Sequence, residues 1–289
     1  MRRSVTALAL AAGLLAAGCG QSSSGERGAL AAYVARVDAV ELALRTPLSE
    51  VTRTGNLFAR EQAAASSRRV PGPSSSASHA RTLAQAGARI QALRVRLAAI
   101  ITPAPASHLR ALLLGLIDGQ LRLTGEVQRM VIYMPRFAAA LMPLLPALRR
   151  LEPALARRSA AGAAAVAAAY REKASALRRF AATLKPMLVA MAGLRPPAVS
   201  SAGYRAQLAS IEGMRLNADR LAAALEGRRA QETQQDLLAF DRAAAVPHGE
   251  AVQKAQIAAV RAYDLQVREL ERLSGAAQAE RDRLAATVR

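Results

Sequence analysis

Apolar residues three and four positions apart recur along almost the whole of this chain, and that pattern limits what it can fold into. Tyr33, Val37, Val40, Leu44, Leu48 and Val51 form one series. Leu83, Ile90, Leu93, Leu97 and Ile100 form a second, and Leu109, Leu112, Leu116, Leu123, Val127 and Met130 a third. Leu177, Phe180, Leu184, Met187, Met191 and Leu194 continue it, followed by Tyr204, Leu208, Ile211, Ala218, Leu221 and Leu225. A helix returns to the same face about every 3.6 residues, so each series paints an apolar stripe down one side of a helix. Near the end, Tyr263, Leu270, Ala277 and Leu284 fall every seven residues, with Val260 and Val267 three before the first two. That is the seam of helices packed side by side. No stretch sustains the period-two alternation of a strand. The expected fold is all-α: an elongated antiparallel bundle of about six long helices with coiled-coil-like packing.

Helix breakers mark the connections. Ser66–His79, rich in Pro, Gly and Ser, reads as a loop. Turns are expected at Thr102–Ser107, Arg195–Gly203 and Ala245–Glu250. Residues 29–289 are expected to form one helical domain. Within it, Met130–Arg158 carries Pro135, Pro143, Pro146 and Pro153. Proline removes a helix hydrogen bond and crowds the preceding turn, so a broken or kinked helix is expected, with a new start at Pro135. The segment is apolar, but Arg136 and four prolines argue against a membrane span. Two internal echoes stand out. Ile101–Gly119 and Leu194–Gly213 each run from a Pro-rich turn into a helix reaching Ile-acid-Gly. Ala32-Tyr33-x3-Val37-x3-Glu41 matches Ala262-Tyr263-x3-Val267-x3-Glu271. One duplication would give both, and Ala-rich helices also produce such matches by chance.

The start of the chain follows a different rule. Arg2 and Arg3 are followed by a mostly apolar run from Val5 to Ala17, then by Gly18 and Cys19, the single cysteine of the chain. Charge, apolar run and small residues in that order make a secretory signal, and about thirteen apolar residues fall short of the ~20 a span needs. Leu15-Ala16-Ala17-Gly18-Cys19 resembles the lipobox of bacterial prolipoproteins, with Ala16 where leucine is commonest. The resemblance implies cleavage between Gly18 and Cys19, a lipid on the Cys19 thiol, and anchoring on the extracytoplasmic face of the cell membrane, or in the outer membrane of a two-membrane host. Two acyl chains hold a protein stably where one is marginal. Residues 19–28 read as a flexible polar tether. The body from residue 29 resembles, in style alone, the Ala- and Arg-rich helical lipoproteins of high-GC bacteria. It holds no further cysteine, so disulfides and thiolate metal sites are excluded there.

Charge is distributed unevenly. Residues 51–200 hold 22 Lys and Arg against 5 Asp and Glu, whereas residues 201–289 hold 13 against 12. Such a field draws anionic surfaces, and for an anchored protein the nearest is the headgroup layer. Arg149, Arg150, Arg157 and Arg158, with Arg178 and Arg179, are the candidate contacts to anionic lipid or cell-wall polymer. Nucleic acid is a poor partner: four Phe, five Tyr and no Trp give no stacking platform. His79, His108 and His248 are far apart and at expected loops, and Asp118, Arg122 and Glu126 are spaced for surface ion pairs. No phosphate loop, nucleophile elbow or metal spacing appears, so no cofactor and no catalysis are expected. The expected role is non-enzymatic: an envelope protein that binds another envelope protein or an anionic surface. The alternative is a carrier of an apolar ligand or lipid, using the Met-rich segment 130–158.

Overall fold

The computed structural model of the chain describes residues 24–65, 73–157 and 161–288. Gly18, Cys19 and Arg158 lie outside the described residues, as does the first half of the expected loop 66–79. The protein is all-α, with eight helices among the described residues: α1 (Ser24–Ala65), α2 (Pro73–Ala99), α3 (Ser107–Leu141), α4 (Leu144–Ala156), α5 (Ala163–Ala192), α6 (Ser201–Glu226), α7 (Ala230–Ala245) and α8 (Glu250–Val288). Six are long, and they pack against one another along the stripes read from the sequence. The contacts of the described residues group into two compact units, one within 24–131 with 264–288 and the other within 132–263. The long helices α3 and α8 contribute residues to both.

The first unit packs α1, α2, the first part of α3 and the last part of α8. Polar contacts give their directions. Glu61 meets His79 and Glu50 meets Arg89, so α1 and α2 run antiparallel. Arg110 Nη2 donates to the Ala98 carbonyl and Arg94 pairs with Asp118, so α2 and α3 do as well. Gly115 and Gly119 of α3 approach Leu273 and Leu270 of α8 in falling order. Arg281 of α8 faces Asp38 and Glu41 of α1. Alternating directions around four helices are what short connections favour. Tyr33, Val37, Ile90, Leu97, Leu109 and Leu284 fill the centre.

The second unit is built on the α5–α6 hairpin. Arg178 pairs with Glu226 across it at 2.6 Å, and the Tyr204 hydroxyl donates to the Met191 carbonyl at 2.7 Å near its closed end. Helix α7 lies on α6, with Ala243 against Gly213, and Phe240 meets Phe180 edge to face at 5.8 Å. Tyr133 and Phe137, at the end of α3, stack at 5.1 Å and pack on Tyr204.

Several boundaries differ from the sequence reading. Helix α1 begins at Ser24, inside the expected tether 19–28; Glu26 in its first turn suits the positive end of the helix dipole. Helix α2 begins at Pro73, inside the expected loop, because proline's fixed φ suits a first helical position. Pro135 starts no helix: α3 runs through it to Leu141, and the break falls at Met142–Pro143. Pro146 sits in the first turn of α4, where the lost donor has no helical acceptor to miss. A break the sequence reading lacks separates α6 from α7. Arg229 N donates to Ala224 O and Arg228 N to Leu225 O, with Arg228 left-handed at φ 54°. This is the Schellman stop, with arginine where glycine is usual.

The first echo has the same local geometry twice. Pro103 and Pro197 each precede a 3₁₀ turn, Ala104–Ala106 and Ala198–Ser200. Ser107 and Ser201 then donate their hydroxyls to the Ala104 and Ala198 carbonyls as the next helix starts. Gly119 and Gly213 both sit at close helix contacts. The second echo is not matched in burial: Tyr33 and Val37 are buried, whereas Tyr263 and Val267 are half-exposed.

Candidate functional site

Two surfaces carry functional character, one in each unit. In the second unit it is the end of α3 and the whole of α4. The most apolar 18 residues within 104–156 have a mean hydropathy of 1.5, long and apolar enough to cross a membrane, yet only 22% of them is buried. Val131, Tyr133, Ala140 and Ala147 face the protein. Ile132, Ala139, Met142 and Leu145 face outward, with Met142 69% and Leu145 55% exposed. Arg136 lies within this outward stripe, and Arg149 and Arg150 follow it, all exposed. One face is thus protein core and the other is apolar surface studded with guanidinium groups.

The candidate basic residues are not equivalent. Arg157 pairs with Glu172 of α5, and Arg178 with Glu226 of α6, so part of each charge is balanced locally. Arg150 donates to the Pro146 carbonyl of its own helix, and Arg179 to the Ser175 hydroxyl. Among the described residues, Arg149, Arg150 and Arg179 have no acidic partner. The methionines separate: Met187 and Met191 belong to the core and Met142 to the surface.

In the first unit, a groove of about 1010 Å³ opens between α1 and α8, above a floor formed by α2 and α3. Its floor is apolar: Val40, Leu44, Ile90, Leu97, Leu113 and Ile117. Small residues on one wall make room for it: helix α8 presents Ser274, Gly275 and Ala277, and a Cβ on Gly275 meets nothing within 4 Å. The lip carries Arg45, Arg53 and Arg60. One end is closed by Arg281, whose Nη2 lies 2.6 Å from Glu41 Oε1 and 3.0 Å from Asp38 Oδ1. These approaches are poorly aligned as hydrogen bonds, and Arg281 Nε has no acceptor. Burial holds the Glu41 carboxyl above the usual carboxylate range, outweighing the nearby Arg281.

Among the described residues, no three of His, Cys, Asp and Glu come together in a way that holds a metal ion. His79 lies in α2 rather than a loop and faces Glu61. Asp118 is held below the usual carboxylate range chiefly by Arg94 of the neighbouring helix, with Arg122 a lesser contributor, and Glu126 pairs with Arg129. The groove has no counterpart in the sequence reading, since its walls are more than two hundred residues apart in the chain. The one local signal was the small-residue run Ser274–Ala277. Comparison with protein-family models, with curated proteins and with solved structures finds no match to this chain.

Proposed function

We propose that this chain is a membrane-anchored extracytoplasmic lipoprotein of the cell envelope, and that it works by binding rather than by catalysis. In this reading Cys19 carries the lipid and the α3–α4 surface rests on anionic headgroups. The observation that carries it is the outward stripe Ile132, Ala139, Met142 and Leu145, flanked by Arg136, Arg149 and Arg150. Apolar side chains exposed among arginines are costly in water and suited to the headgroup boundary, where they reach the acyl region while guanidinium groups meet phosphate. A spanning role fits less well. The buried face packs against Tyr204, and Arg136 would lie within the hydrocarbon.

The test is co-sedimentation with vesicles of pure phosphatidylcholine or of phosphatidylcholine with phosphatidylglycerol, using residues 19–289 with Cys19→Ala, made without the signal segment, so that no anchor masks the contact. Each basic residue near an anionic surface contributes ~1 kcal/mol, so Arg149→Glu with Arg150→Glu is expected to weaken binding to the anionic vesicles at least tenfold. The difference is expected to shrink at ~1 M salt, where the screening length is about 3 Å. Equal binding of parent and variant at low salt sinks the reading.

A further inference from the structure

We propose that the groove between α1 and α8 is a binding site for a single-chain anionic amphiphile, a long-chain carboxylate, with its tail on the apolar floor and its head at Arg53 and Arg60. This site lies in the other unit from the α3–α4 surface, and the inference does not rest on the membrane reading.

Shape comes first. On α1 the lining runs from Val40 to Arg60, which at about 1.5 Å per residue is roughly 30 Å, the proportion of an extended chain rather than a compact ring system. The volume, about 1010 Å³, stands at the upper edge of the ~300–1,000 Å³ common for small-molecule sites.

Polarity then changes along the groove. Its first half on α1 carries Val40, Leu44, Leu48 and Val51, interleaved with Glu41, Arg45 and Ser49. Past Val51 the α1 lining turns polar, with Thr52, Arg53, Asn56 and Arg60 around Leu57. Thr52 spends its hydroxyl proton on the Leu48 carbonyl, so the donors left for a ligand are Arg53, Asn56 and Arg60. Arg53 and Arg60 are seven residues, about two turns, apart and project from one face. Both are exposed, and neither has an ion-pair partner among the described residues. Glu41 is the single acid among the lining residues, and Arg281 already faces it. Arg53 and Arg60, with no acid beside them among the lining residues, select a negative head and disfavour a positive one. An apolar floor with two such arginines past Val51 is complementary to a fatty acid.

Gly275 permits a test that separates binding from folding. It lies on the groove wall in mid-helix with open space where a side chain would go. Gly275→Phe is therefore expected to fill the groove while keeping or raising helix content and thermal midpoint. The mature chain, residues 19–289 with Cys19→Ala and made without the signal segment, is titrated with radiolabelled palmitate below its micellar concentration, with hexadecanol and hexadecyltrimethylammonium alongside. The expected results are saturable one-to-one palmitate binding, at least tenfold loss in Gly275→Phe, and about tenfold loss in Arg53→Glu with Arg60→Glu. Hexadecanol is expected to bind more weakly than palmitate and to be indifferent to the arginine changes. The proposal is overturned if palmitate does not saturate, or if Gly275→Phe binds it normally with helix content intact. It is also overturned if hexadecanol or the ammonium binds as well as palmitate. Dimerisation by the parent that Gly275→Phe abolishes would assign the groove to a second copy of the chain, and would overturn it too.

Discussion

Replacing Gly213 by alanine is expected to destabilise the protein, although alanine is the better helix former. In mid-helix, Gly→Ala stabilises by about 0.8–1 kcal/mol from backbone entropy alone. Against this stands the contact with α7. A Cβ on Gly213 would lie 2.8 Å from Ala243 Cβ and 3.9 Å from Ala243 Cα. Carbon atoms in contact settle at about 3.5–4.0 Å, so α7 must withdraw by roughly an ångström at that point. Ala243 has no flexible end to give way, so the whole helix must move. Phe240 would then be drawn off Phe180, and such overpacking costs about 1–3 kcal/mol. With an unyielding partner the upper part of that range applies, which leaves a net loss of about 1–2 kcal/mol. Gly275→Ala is the control, since its Cβ enters open space and the full ~1 kcal/mol gain should appear. The assay is urea unfolding followed by helical circular dichroism. If the two units melt separately, the two changes fall on different transitions, with opposite signs. A Gly213→Ala midpoint equal to or above that of the parent would refute the close-contact reasoning.

Other expectations follow from single sites. Arg228→Gly relieves the left-handed stop of α6 and is expected to stabilise by about 0.5–1 kcal/mol in the same assay, with no gain if the φ of 54° costs nothing. Burial, with Tyr204 nearby, pushes the Tyr133 phenol up to about 12 from its ordinary value of 10.0. The folded state therefore holds this proton where the unfolded chain releases it. Stability is expected to be unaffected by this group below pH 10 and to fall by about 3 kcal/mol as the pH rises from 10 to 12. Tyr133→Phe is expected to flatten that decline, and unfolding midpoints across the alkaline range would show an unchanged slope if the account is wrong. Leu184→Ala empties a fully buried position of α5 and is expected to cost about 2–5 kcal/mol; a loss under 1 kcal/mol would mean the core had closed over the gap. Intact-mass analysis of the native protein is expected to show loss of residues 1–18 and added acyl mass, both absent in Cys19→Ala. Cleavage without acyl mass would remove the anchor from the proposal.

The helices were legible because their signal is local. The stripe Leu177, Phe180, Leu184, Met187, Met191 reads the same in the sequence and in the buried face of α5, since periodicity within one helix decides which side turns inward. Breaks written in Pro, Gly and Ser were legible for the same reason. The stop at Arg228 was not, because the left-handed residue there is an arginine with no compositional mark. Pro135 misled in the other direction. A proline signals a lost hydrogen bond, but Tyr133 and Phe137, on either side, dock on Tyr204 and keep α3 continuous.

The candidate surfaces show the same division more sharply. Sequence alone determined that Met130–Arg158 is apolar, that arginine follows it, that the body is helical, and that the first nineteen residues resemble a lipoprotein signal. An apolar helix reads alike whether a core covers it or not. Only the packing of Tyr133 against Tyr204 decided which side of α3 is core and which is left facing outward. Likewise only tertiary structure paired Arg157 and Arg178 with carboxylates and, among the described residues, left Arg149 and Arg150 with none, because these ion pairs depend on neighbouring helices and not on neighbours in the chain. The groove is the extreme case. Its walls, around Leu48 and Gly275, are separated by well over two hundred residues, and they meet only once four helices have closed around a core that a run of small residues leaves partly unfilled.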